Sequence, residues 1–73
     1  MRNNLINARK KHEYTQLETA EMVGITERHY QKLEAGTSDG SIKVWERLKA
    51  ILHAKSIDWL LEQTVDIHNL SKK

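Results

Sequence analysis

The sequence predicts an all-α protein, a compact bundle of five short helices in one domain. Two observations support this prediction. The 73 residues include no proline and only three glycines, so residues that break helices are few. The apolar residues recur at helical spacing, and strand-like alternation begins only at Val65 and Ile67. Because a domain of this size buries only about 60% of its unfolded surface, we expect a small core without a deep substrate pocket.

The composition excludes several classes of function. The absence of cysteine rules out disulfides and thiolate metal sites, and it fits a reducing bacterial cytoplasm, where we expect the protein to act. The four histidines lack ligand spacing, and Ser41 and Ser56 fall at predicted helix starts, so we expect no metal, no cofactor and no enzyme activity. No apolar run approaches the roughly 20 residues of a membrane helix. The net charge of +2 neither requires nor excludes a nucleic-acid partner.

Local signals predict where the first three helices begin and end. The first is expected over residues 3–12, with Leu5, Ile6 and Arg9 on one face. Thr15 has Glu18 three residues later, which is a capping box that starts the second helix. The remaining signals are Gly24 after the second helix, Thr26 as the cap of the third, and Gly36 after the third.

Two more helices are expected after a turn at residues 37–40. Ser41 caps the fourth and Ser56 caps the fifth. Trp45 and Trp59 are expected in the core, with their indole N–H groups near the surface. The apolar positions of these two helices are Ile42, Val44, Trp45, Leu48, Ile51 and Leu52, and then Ile57, Trp59, Leu60 and Leu61.

The spacing within residues 16–36 meets the requirements of a helix-turn-helix. Two helices that cross over a short turn need a small residue where they approach, which Ala20 supplies. They also need a turn residue that is free to adopt positive φ, which Gly24 supplies. The second of these helices is anchored by apolar side chains at Val23, Ile25, Tyr30 and Leu33.

The opposite face of that second helix carries polar side chains. Arg28 and Lys32 lie four residues apart, with Glu27, His29 and Gln31 beside them. Such a pair is either an ordinary solvated face or a face that reads nucleic acid, and its place inside this motif favours the second interpretation.

At these residues the chain resembles the Cro/C1-type helix-turn-helix domain of lambdoid phage repressors, also called the XRE family. The resemblance covers about residues 4–63. It implies a compact bundle of four or five helices whose third helix enters the major groove of double-stranded DNA. It rests on Arg9, residues 14–16, Ala20, residues 23–26, Tyr30, residues 33–36 and residues 56–61.

The resemblance also implies roles for individual residues. Arg9 and Glu34 are expected to form a buried ion pair between the first and third helices. Glu27 either accepts a hydrogen bond from cytosine or orients Arg28, and the second role is favoured. The residues expected at base edges are Glu27, Arg28 and Lys32, and those expected at phosphates are Thr15, Gln16, Thr26 and Gln31.

Three features depart from the family pattern. Thr19 stands where leucine is usual, and we expect Leu17 to supply the missing apolar contact. The loop after the third helix lacks the usual basic residues. Because Asp39 in that loop would repel phosphate, Lys43 is expected to make the phosphate contact instead. The turn at residues 53–55 is one residue longer than usual.

We therefore expect residues 1–63 to form a DNA-binding domain and residues 64–73 to be a tail, either a free end or part of a dimer interface. The leading function is a sequence-specific transcription regulator, expected to be a repressor that binds a palindromic operator as a homodimer. The alternative is an antitoxin-like protein-interaction module, in which Val65, Ile67 and Leu70 contact a partner protein. The candidate dimer contacts are Ile57, Leu61 and residues 65–70.

Overall fold

The computed structural model describes residues 1–63, and the predictions for the tail at 64–73 lie outside the described residues. The described chain has five helices and no strand, which confirms the predicted all-α bundle. The helices are α1 (Asn3–Lys11), α2 (Gln16–Val23), α3 (Glu27–Ala35), α4 (Ile42–Leu52) and α5 (Ile57–Leu61).

The capping signals account for these helix ends. The Thr15 hydroxyl accepts from the Glu18 N–H at 3.0 Å, and Glu18 Oε1 accepts from the Thr15 N–H at 2.8 Å, so the predicted capping box is confirmed. Gly24 and Gly36 follow α2 and α3 with φ of +79° and +84°, a region that glycine adopts without strain. The hydroxyls that cap α3, α4 and α5 belong to Thr26, Ser41 and Ser56, as predicted.

One core joins all five helices. Tyr30 of α3 and Trp45 of α4 are its largest fully buried side chains. Trp45 donates its indole N–H to the Asp39 carbonyl oxygen at 2.6 Å, so its polar end is satisfied at the edge of the core, while Trp59 is only partly buried. The other buried apolar residues are Leu5, Ala8, Ala20, Val23, Leu33, Val44, Leu48, Leu52 and Leu60.

The expectation for Leu17 is wrong. Leu17 is 47% exposed, whereas Thr19 is fully buried in the position where leucine is usual. Thr19 can lie there because its hydroxyl donates to the Thr15 carbonyl oxygen at 2.9 Å, which satisfies the one polar group that burial removes from water.

Ile42 and Ile6 also differ from the sequence pattern. Ile42 is 68% exposed because, at 100° per residue, it lies well away from the face of α4 that Val44 and Leu48 bury. In α1 the buried positions are Leu5 and Ala8, and Ile6 is only half-buried. α1 therefore contributes a narrow apolar stripe to the core.

Candidate nucleic-acid interface

α2 and α3 form the predicted helix-turn-helix. Ala20 is fully buried where the two helices approach, and its carbonyl oxygen accepts from the Ile25 N–H at 3.0 Å. A Cβ at Gly24 would lie 3.2 Å from Arg47 Nη1, which donates to the Val23 carbonyl oxygen at 3.1 Å. The turn therefore needs glycine for its positive φ and for the close approach of α4.

α3 has a buried face and an exposed face. Tyr30, Leu33 and Glu34 are buried, and they fix how the helix lies on the core. The opposite face projects away from the protein. It carries four exposed side chains that the sequence analysis assigned to bases or phosphates: Glu27, Arg28, Gln31 and Lys32.

An ion pair joins α1 to α3. Arg9 Nε lies 2.6 Å from Glu34 Oε2, and only 12% and 5% of the two side chains is exposed. The hydrogen bond to Glu34 raises the pKa of Arg9 above its ordinary value, so the guanidinium stays charged. Arg9 Nη1 also donates to the Tyr14 carbonyl oxygen at 2.9 Å. The pair thus fixes α1, the turn after it and α3 relative to one another.

The Tyr30 hydroxyl is buried near this ion pair. Burial raises the pKa of Tyr30, and the neighbouring Glu34 carboxylate raises it further. The hydroxyl nevertheless makes no hydrogen bond to any group in residues 1–63. Tyr30 therefore contributes its ring to the anchoring of α3, while burying its hydroxyl without a hydrogen-bond partner in residues 1–63 is an expected cost to stability.

A chain of hydrogen bonds leads from the ion pair to the exposed face. Gln16 Nε2 donates to Glu34 Oε1 at 2.9 Å, and Gln16 Oε1 accepts from Gln31 Nε2 at 3.2 Å. Both ends of the Gln16 amide are thereby oriented. Its Nε2 keeps a second N–H, which can be donated to a ligand beside α2.

The remaining residues assigned to phosphate lie at helix starts. Thr26 caps α3, and Lys43 lies exposed in the first turn of α4. Helix N-termini attract anions through their free N–H groups and their dipoles. Thr15 is different, because its N–H donates to Glu18 Oε1. The capping box therefore engages the Thr15 N–H, the backbone group through which Thr15 could otherwise meet phosphate.

A shallow depression of about 380 Å³ lies beside the exposed face of α3. Its lining combines two cationic side chains with hydroxyl groups, a combination that suits an anion such as a phosphate. The lining residues are Thr26, Arg28, His29, Lys32, Thr37 and Ser38.

Arg2 is a structural residue that sequence reasoning missed. It is 3% exposed, and its guanidinium donates to the carbonyl oxygens of Leu33, Ser38 and Leu61. No sequence signal marks this role, since the acceptors are backbone groups that every residue has.

Two findings concern other kinds of site. No cluster of His, Cys, Asp or Glu side chains within residues 1–63 is placed to hold a metal ion. Among the helices described, none has the length and apolar character needed to cross a membrane.

The crossed helices and the outward-facing polar side of α3 together define a helix-turn-helix DNA-binding domain. A helix-turn-helix family model matches residues 5–60, which is more than half of the chain. The chain belongs to the Cro/C1-type (XRE) helix-turn-helix family of DNA-binding regulators. No individual curated protein and no solved structure gives a significant match.

Proposed function

We propose that the protein is a sequence-specific transcription regulator that acts as a repressor on a palindromic operator. The observation that carries this proposal is the exposed face of α3, where Arg28 and Lys32 project from a helix anchored to the core. Base readout requires side chains held at fixed positions in the major groove, and a rigid helix provides them. Repression is the simplest consequence, since a protein bound across a promoter excludes other proteins from that DNA.

The proposed contacts divide into those that read bases and those that set affinity. Arg28 and Lys32 read bases, each with the donors that suit guanine, and Glu27 orients Arg28 or accepts from cytosine. With the Thr15 N–H already engaged, the phosphate contacts fall to Gln16, Thr26, Gln31 and Lys43.

The dimer is proposed at the surface near the start of α5. Ile57 is half-buried there, in a depression of about 470 Å³ whose charged residues are Glu46, Lys49 and Asp58. Because both signs of charge are present, the surface can be complementary to a copy of itself across a two-fold axis. Of the other candidates, Leu61 packs partly against the core, and residues 65–70 lie outside the described residues.

The proposal is tested by selecting bound sequences from a random DNA pool and then measuring variants on the selected operator. Arg28→Ala and Lys32→Ala should each cost about 1–3 kcal/mol and relax the preference at one base pair. Gln16→Ala should weaken binding to all sequences equally. Lys55→Ala removes an exposed lysine that lies over Trp59, away from α3, and should change little. Wild-type affinity in both α3 variants would refute the recognition face.

Two further measurements separate the remaining alternatives. Affinity should fall with salt at a slope of about −0.9 per neutralised phosphate, and a flat response would favour the protein-interaction module instead. A paired protein should need half-sites with centres about 10 base pairs apart, roughly 34 Å. Adding five base pairs turns one half-site to the opposite side of the duplex, so unchanged affinity would refute the dimer.

A further inference from the structure

Residues 37–40 connect α3 to α4 and are called the α3–α4 segment. The buried Arg2 side chain packs against this segment. The Arg2 backbone N–H donates to the Glu34 carbonyl oxygen at 2.8 Å, which fixes where its side chain starts. Arg2 Nη1 then donates to two carbonyl oxygens, each at 2.8 Å: that of Leu33, near the end of α3, and that of Ser38, within the segment. One guanidinium nitrogen therefore ties the segment directly to the end of α3.

The α3–α4 segment is also held from α4 and packed against the core. The Trp45 indole N–H donates to the Asp39 carbonyl oxygen, and the Arg2 guanidinium lies 5.1 Å from the centre of the Trp45 ring. A Cβ at Gly40 would lie 2.9 Å from Leu33 Cδ2, so the segment has no room to move inward. Its position depends on Arg2 and Trp45 together.

The charge of Arg2 also acts on this segment. Asp39 is the one charged residue among residues 37–40, and its side chain is fully exposed. It lies 3.8 Å from Arg2 Nη2, so the buried guanidinium partly offsets the negative charge that would repel a phosphate. Thr37 and Ser38, which precede Asp39, line the depression beside Arg28 and Lys32. The N–H and hydroxyl of Thr37 both donate to the Lys32 carbonyl oxygen, so the Ser38 hydroxyl is the group of this pair that can meet a phosphate.

We propose that Arg2 is a positioning residue for DNA binding, which holds the α3–α4 segment so that the Ser38 hydroxyl meets a phosphate beside the exposed face of α3. Because Arg2 is buried, it would act on the phosphate only through the α3–α4 segment. The inference rests on the proposed function, and it goes beyond it by assigning part of the affinity to a residue outside the helix-turn-helix.

The test compares Arg2→Lys and Arg2→Met with Lys55→Met, which removes one positive charge from an exposed position away from the segment. Arg2→Lys keeps the charge but loses the planar fork that reaches several carbonyl oxygens at once. Three quantities are measured on folded protein: operator affinity, interference by ethylation of single phosphates, and the NMR resonance of the Trp45 indole N–H.

We expect Arg2→Lys to weaken operator binding about tenfold, equivalent to one charge-assisted hydrogen bond. The interference signal should weaken at the phosphate next to the segment, while the base preferences set by Arg28 and Lys32 stay the same. The Trp45 resonance should shift in the free protein. Arg2→Met should lose more, because Asp39 then lacks its counter-ion, and Lys55→Met should match wild type in all three measurements.

Three outcomes would overturn the inference. The first is a folded Arg2→Lys protein with wild-type affinity and an unmoved Trp45 resonance. The second is an equal loss at every phosphate and base contact, and the third is failure of both Arg2 variants to fold; either would make Arg2 a general stabilising residue. If the wild-type protein binds no DNA, the proposed function fails, while the Trp45 resonance still shows whether Arg2 positions the segment.

Discussion

Replacing Glu34 by alanine should remove a large part of the stability of the protein. The Arg9 guanidinium, only 12% exposed, would lose its counter-ion, and the Gln16 amide would lose an acceptor at 2.9 Å. A buried charge left without its partner costs about 3–5 kcal/mol. At about 0.05–0.15 kcal/mol per residue, 73 residues give a total stability of only roughly 4–11 kcal/mol.

Thermal unfolding followed by circular dichroism measures this loss. For a domain of this size each kcal/mol corresponds to about 4–8 °C, so Glu34→Ala should melt at least about 12 °C below wild type. Glu21→Ala, which removes an exposed carboxylate from α2, is the matched control and should melt close to wild type. The double variant Arg9→Met with Glu34→Leu should be more stable than either single variant, because no charge is left unpaired. A Glu34→Ala protein that melts within about a degree of wild type would refute this reasoning.

Three smaller effects follow from other features. Tyr30→Phe should gain about 1 kcal/mol in urea unfolding at pH 7, because it removes a buried hydroxyl that has no hydrogen-bond partner within residues 1–63. Since burial raises the pKa of Tyr30, only the unfolded chain releases that proton near pH 10; wild type should therefore lose more stability than Tyr30→Phe as pH rises above about 10. His53→Gly should raise the melting temperature by about 4–8 °C, since His53 ends α4 with φ of +51°, and an unchanged or lower value would mean that its ring contact with His12 outweighs the strain. Asp39→Asn should tighten operator binding and steepen its salt dependence, and equal or weaker binding at low salt would show that Asp39 does not face a phosphate.

The sequence was sufficient for the parts of the fold that local chemistry determines. A capping box acts over three residues and a glycine C-cap acts at a single position, so Thr15, Gly24 and Gly36 mark helix ends without knowledge of the tertiary structure. The exposed face of α3 could also be predicted from the sequence, since the buried anchors Tyr30 and Leu33 fix which positions point outward.

The parts that failed depend on which groups meet in space. The expectation that Leu17 replaces the leucine missing at Thr19 weighs only the apolar character of the side chain. It leaves out the carbonyl oxygen that satisfies the threonine hydroxyl. Arg2 precedes the first helix and resembles any charged residue near a chain end. Its role becomes visible only when α3, the α3–α4 segment and α5 bring carbonyl groups around it.

The hydrogen bond between Gln31 and Gln16 limits how operator preference can change by mutation. A substitution at Gln31 would leave the Gln16 amide oxygen without its donor, while the Gln16 amide nitrogen would remain bound to Glu34. Because Gln31 and Gln16 are both proposed at phosphates, a change at Gln31 made to adjust the neighbouring base-reading residues would also alter attraction to the sugar-phosphate backbone. Arg28 has no such link to α2 among the contacts of residues 1–63, so it can vary with less effect on overall affinity. Related regulators that diverge in target choice should therefore vary first at the position of Arg28 and retain glutamine at the positions of Gln16 and Gln31.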